Sequence, residues 1–293
     1  TRYIGDWSSD VCSSDLSYLP LCHVFGRLVD EIIAINSIGT INFAESIDTV
    51  QRDLAEIQPS IFPAVPRILE RMHAGTLVRM KDASKLKQIL FQLASFFGNI
   101  TAKRRLKNPN DFIAKITNFI AQILAFRSLR KKLWLLNVDN AVSGAAPISP
   151  EILRFFMSLG VPIYEGYGMT ENSAVATGNT PDKVKLGTVG TAQPGVEIKL
   201  ADDGEILVRH PGVFLGYYKN EEATNEVLDE DGWLYTGDVG EFDGEFLKIV
   251  DRKKDIIITS GGKNVSPSEI ENNIKTSPFI KEAIVIGDDR KFL

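Results

Sequence analysis

VPIYEGYGMTEN, residues 161–172, starts as a short apolar strand and runs directly into glycine. The nine residues from Tyr164 hold two tyrosines, two glycines, a threonine and two glutamates. A bare backbone at Gly166 and Gly168 admits close approach, and the tyrosines offer flat faces to a base. Thr170 can donate to a phosphate, and Glu171 can hold a hard cation such as Mg²⁺. The set suits a nucleotide and its metal, although a Gly-rich loop standing alone is an ordinary turn.

Upstream the pattern is that of an open α/β sheet. The helix EILRFFMSLG ends at Gly160, and before it LWLLNVDNAVSG reads as a strand. Between them lies SGAAPISPEIL, Ser143 to Leu153, where small residues follow a strand end; ligands of open α/β sheets sit at that carboxyl edge. Taken alone this is also a tight strand-to-helix turn. From Ser17 to Pro66 the segments SYLPLCHVF, EIIAINSIGTINF and DTVQRDLAEIQPSIFPAVP alternate in the same way, which predicts a parallel sheet with crossover helices.

Residues from about 67 to 133 are helical in period instead. Phe112, Ile113, Ile116, Phe119, Ile120, Ile123 and Leu124 share one helix face, with Lys115, Asn118 and Gln122 opposite and Arg127, Arg130, Lys131 and Lys132 following. Packing of the apolar face on the body of the protein is the first expectation. Peripheral contact with an anionic membrane is the second.

Downstream, TVGTAQPGVEIKLADDGEILVRHPG has the short strands and Gly turns of a small β-barrel or sheet. In DGWLYTGDVGEF, Asp231 to Phe242, the carboxylate of Asp238 stands beside Thr236 and Gly237 in a turn suited to accepting two ribose hydroxyls. In DRKKD, Arg252 can meet a ribose or phosphate, and the mixed charges predict a solvated, flexible junction. DRKKDIIITSGGKNVSPSEIENNIK then gives a strand, a Gly-Gly turn and a helix capped near Ser266.

Composition narrows the function classes. The 293 residues are 44% hydrophobic, enough for a real core and about two domains. A net charge of −5 argues against a general nucleic-acid binder. Cys12 and Cys22 are too few for a disulfide framework or a four-ligand zinc site, so a reducing compartment fits. With no uninterrupted apolar run near ~18 residues and no signal-peptide pattern, the sequence reads as cytoplasmic. Residues 1–16, TRYIGDWSSDVCSSDL, have neither period and resemble a translated sequencing-adapter remnant; they are set aside as a non-native tail.

YGMTE, GWLYTGD and DRKKDIIITSGGKNVSPSEIE, in this order and spacing, resemble the adenylate-forming superfamily of acyl-CoA synthetases, luciferases and peptide-synthetase adenylation domains. The resemblance covers Ser17 to Leu293. SYLPLCHVFGR, PAVPRILERM and the helical insertion before SGAAPISPEIL are similar to the long-chain fatty acyl-CoA synthetases within it. It implies a partial adenylate-forming α/β fold: residues 17–185 as the α/β part of the large domain with the insertion at about 67–133, residues 186–250 as the β subdomain, and residues 251–293 as the start of an α+β lid. Gly144, Ala145 and Ala146 would line an adenine pocket completed by Glu165, Gly166 and Tyr167. Thr170 would contact the α-phosphate, Glu171 would coordinate Mg²⁺, and Asp238 with Arg252 would hold the ribose. Lys254 matches the hinge of the lid. His23 matches a position near the acyl carboxylate, and is also readable as a packed histidine. The GGKNVSP turn matches a loop that swings in for thioester formation.

The implied reaction joins a long-chain fatty acid to coenzyme A at the expense of ATP, through an acyl-adenylate. Two family parts are not seen: a Ser/Thr/Gly-rich phosphate loop ahead of PLCHVFGR and a lid lysine beyond Leu293. The expectation is therefore an internal fragment, inactive in adenylation as written. A fatty acyl-AMP or acyl-carrier-protein ligase and a non-catalytic adenylate-binding module are the alternatives. An amino-acid-activating domain is disfavoured, because PLCHVFGR lacks the aspartate that would hold an α-amino group.

Overall fold

The computed structural model describes residues 14–37, 39–258, 264–277 and 279–287. Gly261, Gly262 and Lys263 of the GGKNVSP turn, and residues 1–13, lie outside these. The first strand, β1 (Ser14–Ser17), pairs in parallel with β2 (Thr40–Phe43). It begins inside the stretch that composition set aside, and Leu16 is fully buried. Between the two strands run α1 (Val24–Gly26), a π-helical segment Arg27–Ile33 and α2 (Ala34–Ser37).

After α3 (Val50–Ile57) comes β3 (Ile61–Pro63). Ser60 N–H donates to the Ser14 carbonyl at 3.0 Å, and the Tyr18 hydroxyl donates to the Pro63 carbonyl at 2.6 Å, so β1 runs beside β3 in the same direction. β3 pairs in parallel with β4 (Asn140–Ser143), and β4 with β5 (Ile163–Tyr167). The two-residue strands β6 (Thr177–Gly178) and β7 (Thr191–Ala192) extend this sheet antiparallel, carrying it past the composition change at Lys185. Between β4 and β5, α8 (Pro150–Leu159) has a proline at its first turn, Ser149 as cap, and Gly160 at φ +85° closing it. It buries Ile152, Leu153 and Phe156 against Phe62, Leu69 and Ile163 in the main core.

Before β4 lie α4 (Pro66–Lys81), α5 (Lys85–Arg105), α6 (Phe112–Ala121), a π-helical turn Gln122–Phe126 and α7 (Arg127–Lys132). Asp111 caps α6, accepting from Ala114 N–H at 2.8 Å while paired to Arg104 at 2.7 Å. α5 and α6 form an antiparallel hairpin: the Thr101 and Thr117 hydroxyls meet at 2.7 Å, and the Phe91 and Phe126 rings at 6.3 Å.

The packing of this hairpin reverses the first expectation. Ala114, Thr117 and Ala121 of α6 are the buried residues, whereas Phe112 is 73%, Phe119 65% and Ile123 69% exposed. The α5–α6 contact sets the orientation: the Thr101–Thr117 bond holds the Thr117 side of α6, with Ala114 and Ala121 a turn to either side, against α5, and the large residues fall on the other side. Beyond α6, a Cβ added to Gly98 on α5 would fall 2.6 Å from the Phe126 ring and 2.8 Å from the Ser158 carbonyl, so glycine there makes room for the buried ring.

The second sheet is antiparallel and open, in the order β8 (Glu197–Leu200), β9 (Glu205–Arg209), β10 (Leu234–Asp243), β11 (Phe246–Arg252). Ala176, Ile206, Val208 and Leu247 form its own small core, and α9 (Glu221–Val227) connects β9 to β10. Last come the short antiparallel pair β12 (Ile257–Ile258) and β13 (Asn264–Val265), then α10 (Pro267–Lys275), capped by the Ser266 hydroxyl.

Candidate nucleotide site

The parallel register sets Ser143 at the end of β4 opposite Glu165 on β5. One residue further, a Cβ on Gly144 would lie 3.3 Å from the Gly166 carbonyl, so the two chains touch where the strands end. Ala145 then takes φ +68°, a left-handed conformation costly for a side-chain-bearing residue, and it leaves Ala145 and Ala146 exposed beside the strand ends. Backbone held in this way at a sheet edge is a surface open to a flat ligand.

Gly168 is fixed by a different constraint. A Cβ there would sit 2.0 Å from the Ala174 carbonyl, so no other residue fits the turn. The turn is closed by Asn172, whose buried amide oxygen accepts from Met169 N–H at 2.9 Å, and it leaves Thr170 exposed at its head. The Glu171 carboxylate accepts from the Tyr217 hydroxyl at 2.9 Å, and its backbone carbonyl accepts from Phe214 N–H at 2.7 Å. The PGVFLGYY stretch thus folds back on the YGMTE loop.

Asp238 is the electrostatic centre. It is only 6% exposed, accepts from the Tyr167 hydroxyl at 2.6 Å on one oxygen, and pairs with Arg252 Nε at 2.9 Å on the other. Strand register brings Asp238 of β10 opposite Arg252 of β11, and the tyrosine reaches across from β5. Burial pushes the Asp238 carboxyl above the ordinary aspartate range, against the tyrosine hydrogen bond and the guanidinium charge that pull it down. The Tyr167 phenol is held well above its ordinary value by burial and by the neighbouring carboxylate.

The turn carrying Asp238 is held from beneath by Glu205. Its Oε1 accepts from Gly237 N–H at 2.8 Å, and its Oε2 from Lys253 Nζ at 2.8 Å, while Lys253 N–H donates to the Gly237 carbonyl. Gly237 sits at φ +72°, which explains glycine there. Glu165 is an unsatisfied member of the site, with Ser143 Oγ and Asn172 Nδ2: its Oε2 is buried with no hydrogen-bond partner among the described residues, and burial pushes its carboxyl up to about 8.

Thr170, Glu171, Gly144, Ala145, Ala146, Glu165, Gly166, Tyr167, Asp238 and Arg252 therefore converge on one edge of the molecule, linked through β4, β5 and the Tyr167–Asp238 bond. His23 follows the carboxyl end of β1 by six residues, exposed, with Nδ1 accepting from Phe25 N–H at 3.2 Å as the cap of α1. Lys254 is exposed in the turn directly after the anchored Lys253. Glu205 and Tyr217 were not singled out from sequence. Both act across more than thirty residues of chain, which no local pattern reports.

Residues 4–218 match the family of AMP-binding enzymes, and residues 254–293 the C-terminal domain of AMP-binding enzymes. The long-chain-fatty-acid–CoA ligase FadD15 of Mycobacterium bovis is 36% identical over 279 residues, 95% of this chain and 46% of that protein. The long-chain-fatty-acid–CoA ligase 6 of Rattus norvegicus is 38% identical over 301 residues, 98% of this chain and 42% of that one. The chain spans about half the length of the curated relatives it matches. Among solved structures, the adenylation domain of a Mycobacterium chelonae carboxylate reductase aligns with a TM-score of 0.73 at 26% identity, covering 98% of this chain and 42% of that one. The corresponding domain from Segniliparus rugosus, in complex with AMP and a co-purified carboxylic acid, aligns at 0.71 and 28%, with the same coverage. Two family matches in chain order, together with relatives above 30% identity along nearly its whole length, make the chain a member of the AMP-binding enzymes, the adenylate-forming superfamily.

Proposed function

We propose that this chain carries the adenylate-binding part of an enzyme that activates a long-chain fatty acid with ATP and passes the acyl group to coenzyme A. The observation that carries the reading is the buried Asp238 carboxylate, held between Tyr167 and Arg252 beside the bare backbone of Gly144 and Gly166. With one donor on each oxygen it keeps acceptor capacity for two ribose hydroxyls. The names of the fatty-acid ligase relatives support the substrate class.

In the first half-reaction a fatty carboxylate oxygen bonds to the α-phosphorus of ATP as the bond to the bridging oxygen breaks and pyrophosphate leaves. Gly144, Ala145, Ala146, Glu165, Gly166 and Tyr167 receive the adenine. Thr170 donates to the α-phosphate, offsetting charge as it builds. His23 is assigned to the carboxylate end of the acyl chain. In the second half-reaction the sulfur of coenzyme A attacks the acyl carbon, the thioester forms, AMP leaves, and the thiol proton passes to solvent. Lys254 is assigned as the hinge between the two steps: it is exposed in the turn that follows Lys253, whose N–H and Nζ are held by Gly237 and Glu205.

Glu171 suits Mg²⁺: among the described residues its carboxylate has only the Tyr217 hydroxyl as a hydrogen-bond partner. The described residues contain no cluster of three His, Cys, Asp or Glu, so the remaining ligands of such an ion would be nucleotide phosphates and water. When bound, the cation draws charge from the phosphates. The proposed compartment is the cytoplasm.

The test is titration of the purified chain with a non-hydrolysable acyl-adenylate analogue. Binding weakened roughly 10- to 100-fold by Asp238→Ala is expected, from the loss of charge-assisted hydrogen bonds. No binding, or equal binding by the variant, would remove the reading. Acyl-dependent pyrophosphate release by the longest natural form of the protein, absent in its Glu171→Ala counterpart, would establish catalysis over a binding-only role. The likeness to carboxylate reductase adenylation domains, one solved as a didomain with its carrier domain, favours a second acceptor, a carrier-protein thiol. The acylated product separates it from coenzyme A.

A further inference from the structure

We propose that the α5–α6–α7 hairpin is a docking surface for an anionic phospholipid membrane. The inference is independent of the nucleotide site. Phe112, Ile116, Phe119 and Ile123 recur at the three-and-four spacing of one helical stripe, and all are exposed. The partner helix α5 adds Leu86, Ile89, Leu93 and Phe96, likewise exposed. Scattered surface apolar residues need no explanation, but eight large ones exposed on one two-helix hairpin, four of them in a single stripe from Phe112 to Ile123, do.

The charge says what covers it. Between Ala83 and Val138 the sequence carries eleven Lys and Arg residues against a single acid, Asp111, within a chain of net charge −5. That acid is already paired to Arg104. Lys103 in the last turn of α5, Lys107 just beyond it, and Arg127, Lys131 and Lys132 of α7 are each exposed. An apolar face bordered by cations complements an anionic lipid surface: side chains enter the headgroup boundary while the ammonium and guanidinium groups meet phosphates.

Phe112–Lys132 is long and apolar enough to cross a membrane by length and composition alone. The packing points to a helix lying flat. Ala114, Thr117, Ala121 and Phe126 are buried along one side, and Phe126 abuts Gly98 of α5, itself against Ser158 of α8. Spanning would require this side to leave the body of the protein.

The experiment is co-sedimentation of the purified chain with vesicles of phosphatidylcholine alone and with about 30 mol% phosphatidylglycerol, read at low and high salt. Binding to the anionic vesicles, with Trp134 emission shifting to the blue and salt weakening it, is expected. Lys131→Glu with Lys132→Glu weakens it roughly 10-fold or more, and Phe119→Asp does likewise, both variants keeping the parent melting curve. Equal binding to both vesicle types, or variants that bind like the parent, overturns the proposal. So does absence of vesicle binding accompanied by a concentration-dependent dimer that Phe119→Asp abolishes, which would assign the face to a second copy.

Discussion

The strand-end site and the α5–α7 hairpin depart from ordinary burial in opposite directions. At the site, polar groups go inside: Asp238 is buried, and Glu165 keeps an oxygen with no partner among the described residues. On the hairpin, large apolar groups stay outside while alanines and threonines fill the contact. Buried carboxylates and exposed phenylalanines both cost folding free energy relative to the reverse arrangement. On the two proposals above, each surface suits a different surrounding, one a charged, hydrogen-bonding ligand and the other lipid.

The largest effect should come from the site's backbone. Gly168→Ala forces a methyl against the Ala174 carbonyl and should destabilise the chain by about 3 kcal/mol in urea unfolding; a loss under ~0.5 kcal/mol would mean that the turn yields and the tight contact is not a constraint. Next, Arg252→Ala should weaken acyl-adenylate binding by roughly 10-fold, the scale of a hydrogen bond to a charged group, with Asp238 left to Tyr167 alone. An unchanged affinity in calorimetry would take Arg252 out of the site.

Glu165 gives the comparison a pH dependence. Its carboxyl titrates near 8 in the folded chain and at the ordinary 4.5 when unfolded. The folded state therefore holds a proton that the unfolded state has lost. Stability from this group is complete below 4.5 and falls as pH rises towards 8, at no more than about 1.4 kcal/mol per pH unit. Asp15, pushed up to about 7 by burial, and Asp30, to about 6, slope the same way. The difference between the parent and Glu165→Gln isolates the contribution, and parallel stability–pH curves for the two would refute it. The smallest effect belongs to the hairpin, where Phe119→Ser should move stability by less than about 0.5 kcal/mol. A loss of several times that would show the ring to be packed, and the contrast between the two regions would collapse.

Much of the site was legible because it is made of short-range chemistry. Gly166, Gly168 and Asp238 sit in motifs whose spacing survives without the fold, and strand–helix alternation orders β3, β4 and β5 correctly. The hairpin was read in its period but not in its orientation. Phe112, Ile116 and Phe119 define a helical face equally well whether it points to a core or away from it, and the Thr101–Thr117 contact between α5 and α6, made across sixteen residues, decides. Glu205 beneath Gly237 and Tyr217 over Glu171 are contacts between elements, invisible until the second sheet is folded against the first.

Asp251 and Arg252 are neighbours on β11, and alternation along a strand sends their side chains to opposite faces. Arg252 reaches Asp238, whereas Asp251 accepts from the Ser266 hydroxyl at 2.7 Å and from the Ser268 hydroxyl and N–H at 2.8 and 3.1 Å. Burial works to raise the Asp251 carboxyl, but these donors hold it below the ordinary aspartate range. Lys254 lies between this carboxylate and the serines it holds. If the segment beyond Lys254 turns as the proposed two-step reaction requires, those three bonds act as a latch, broken in each swing and remade on return. The resting balance between the two orientations is then set one residue away from the ribose partner. Asp251→Ala should tip that balance towards the swung form, visible as a changed distance between labels on α10 and β9.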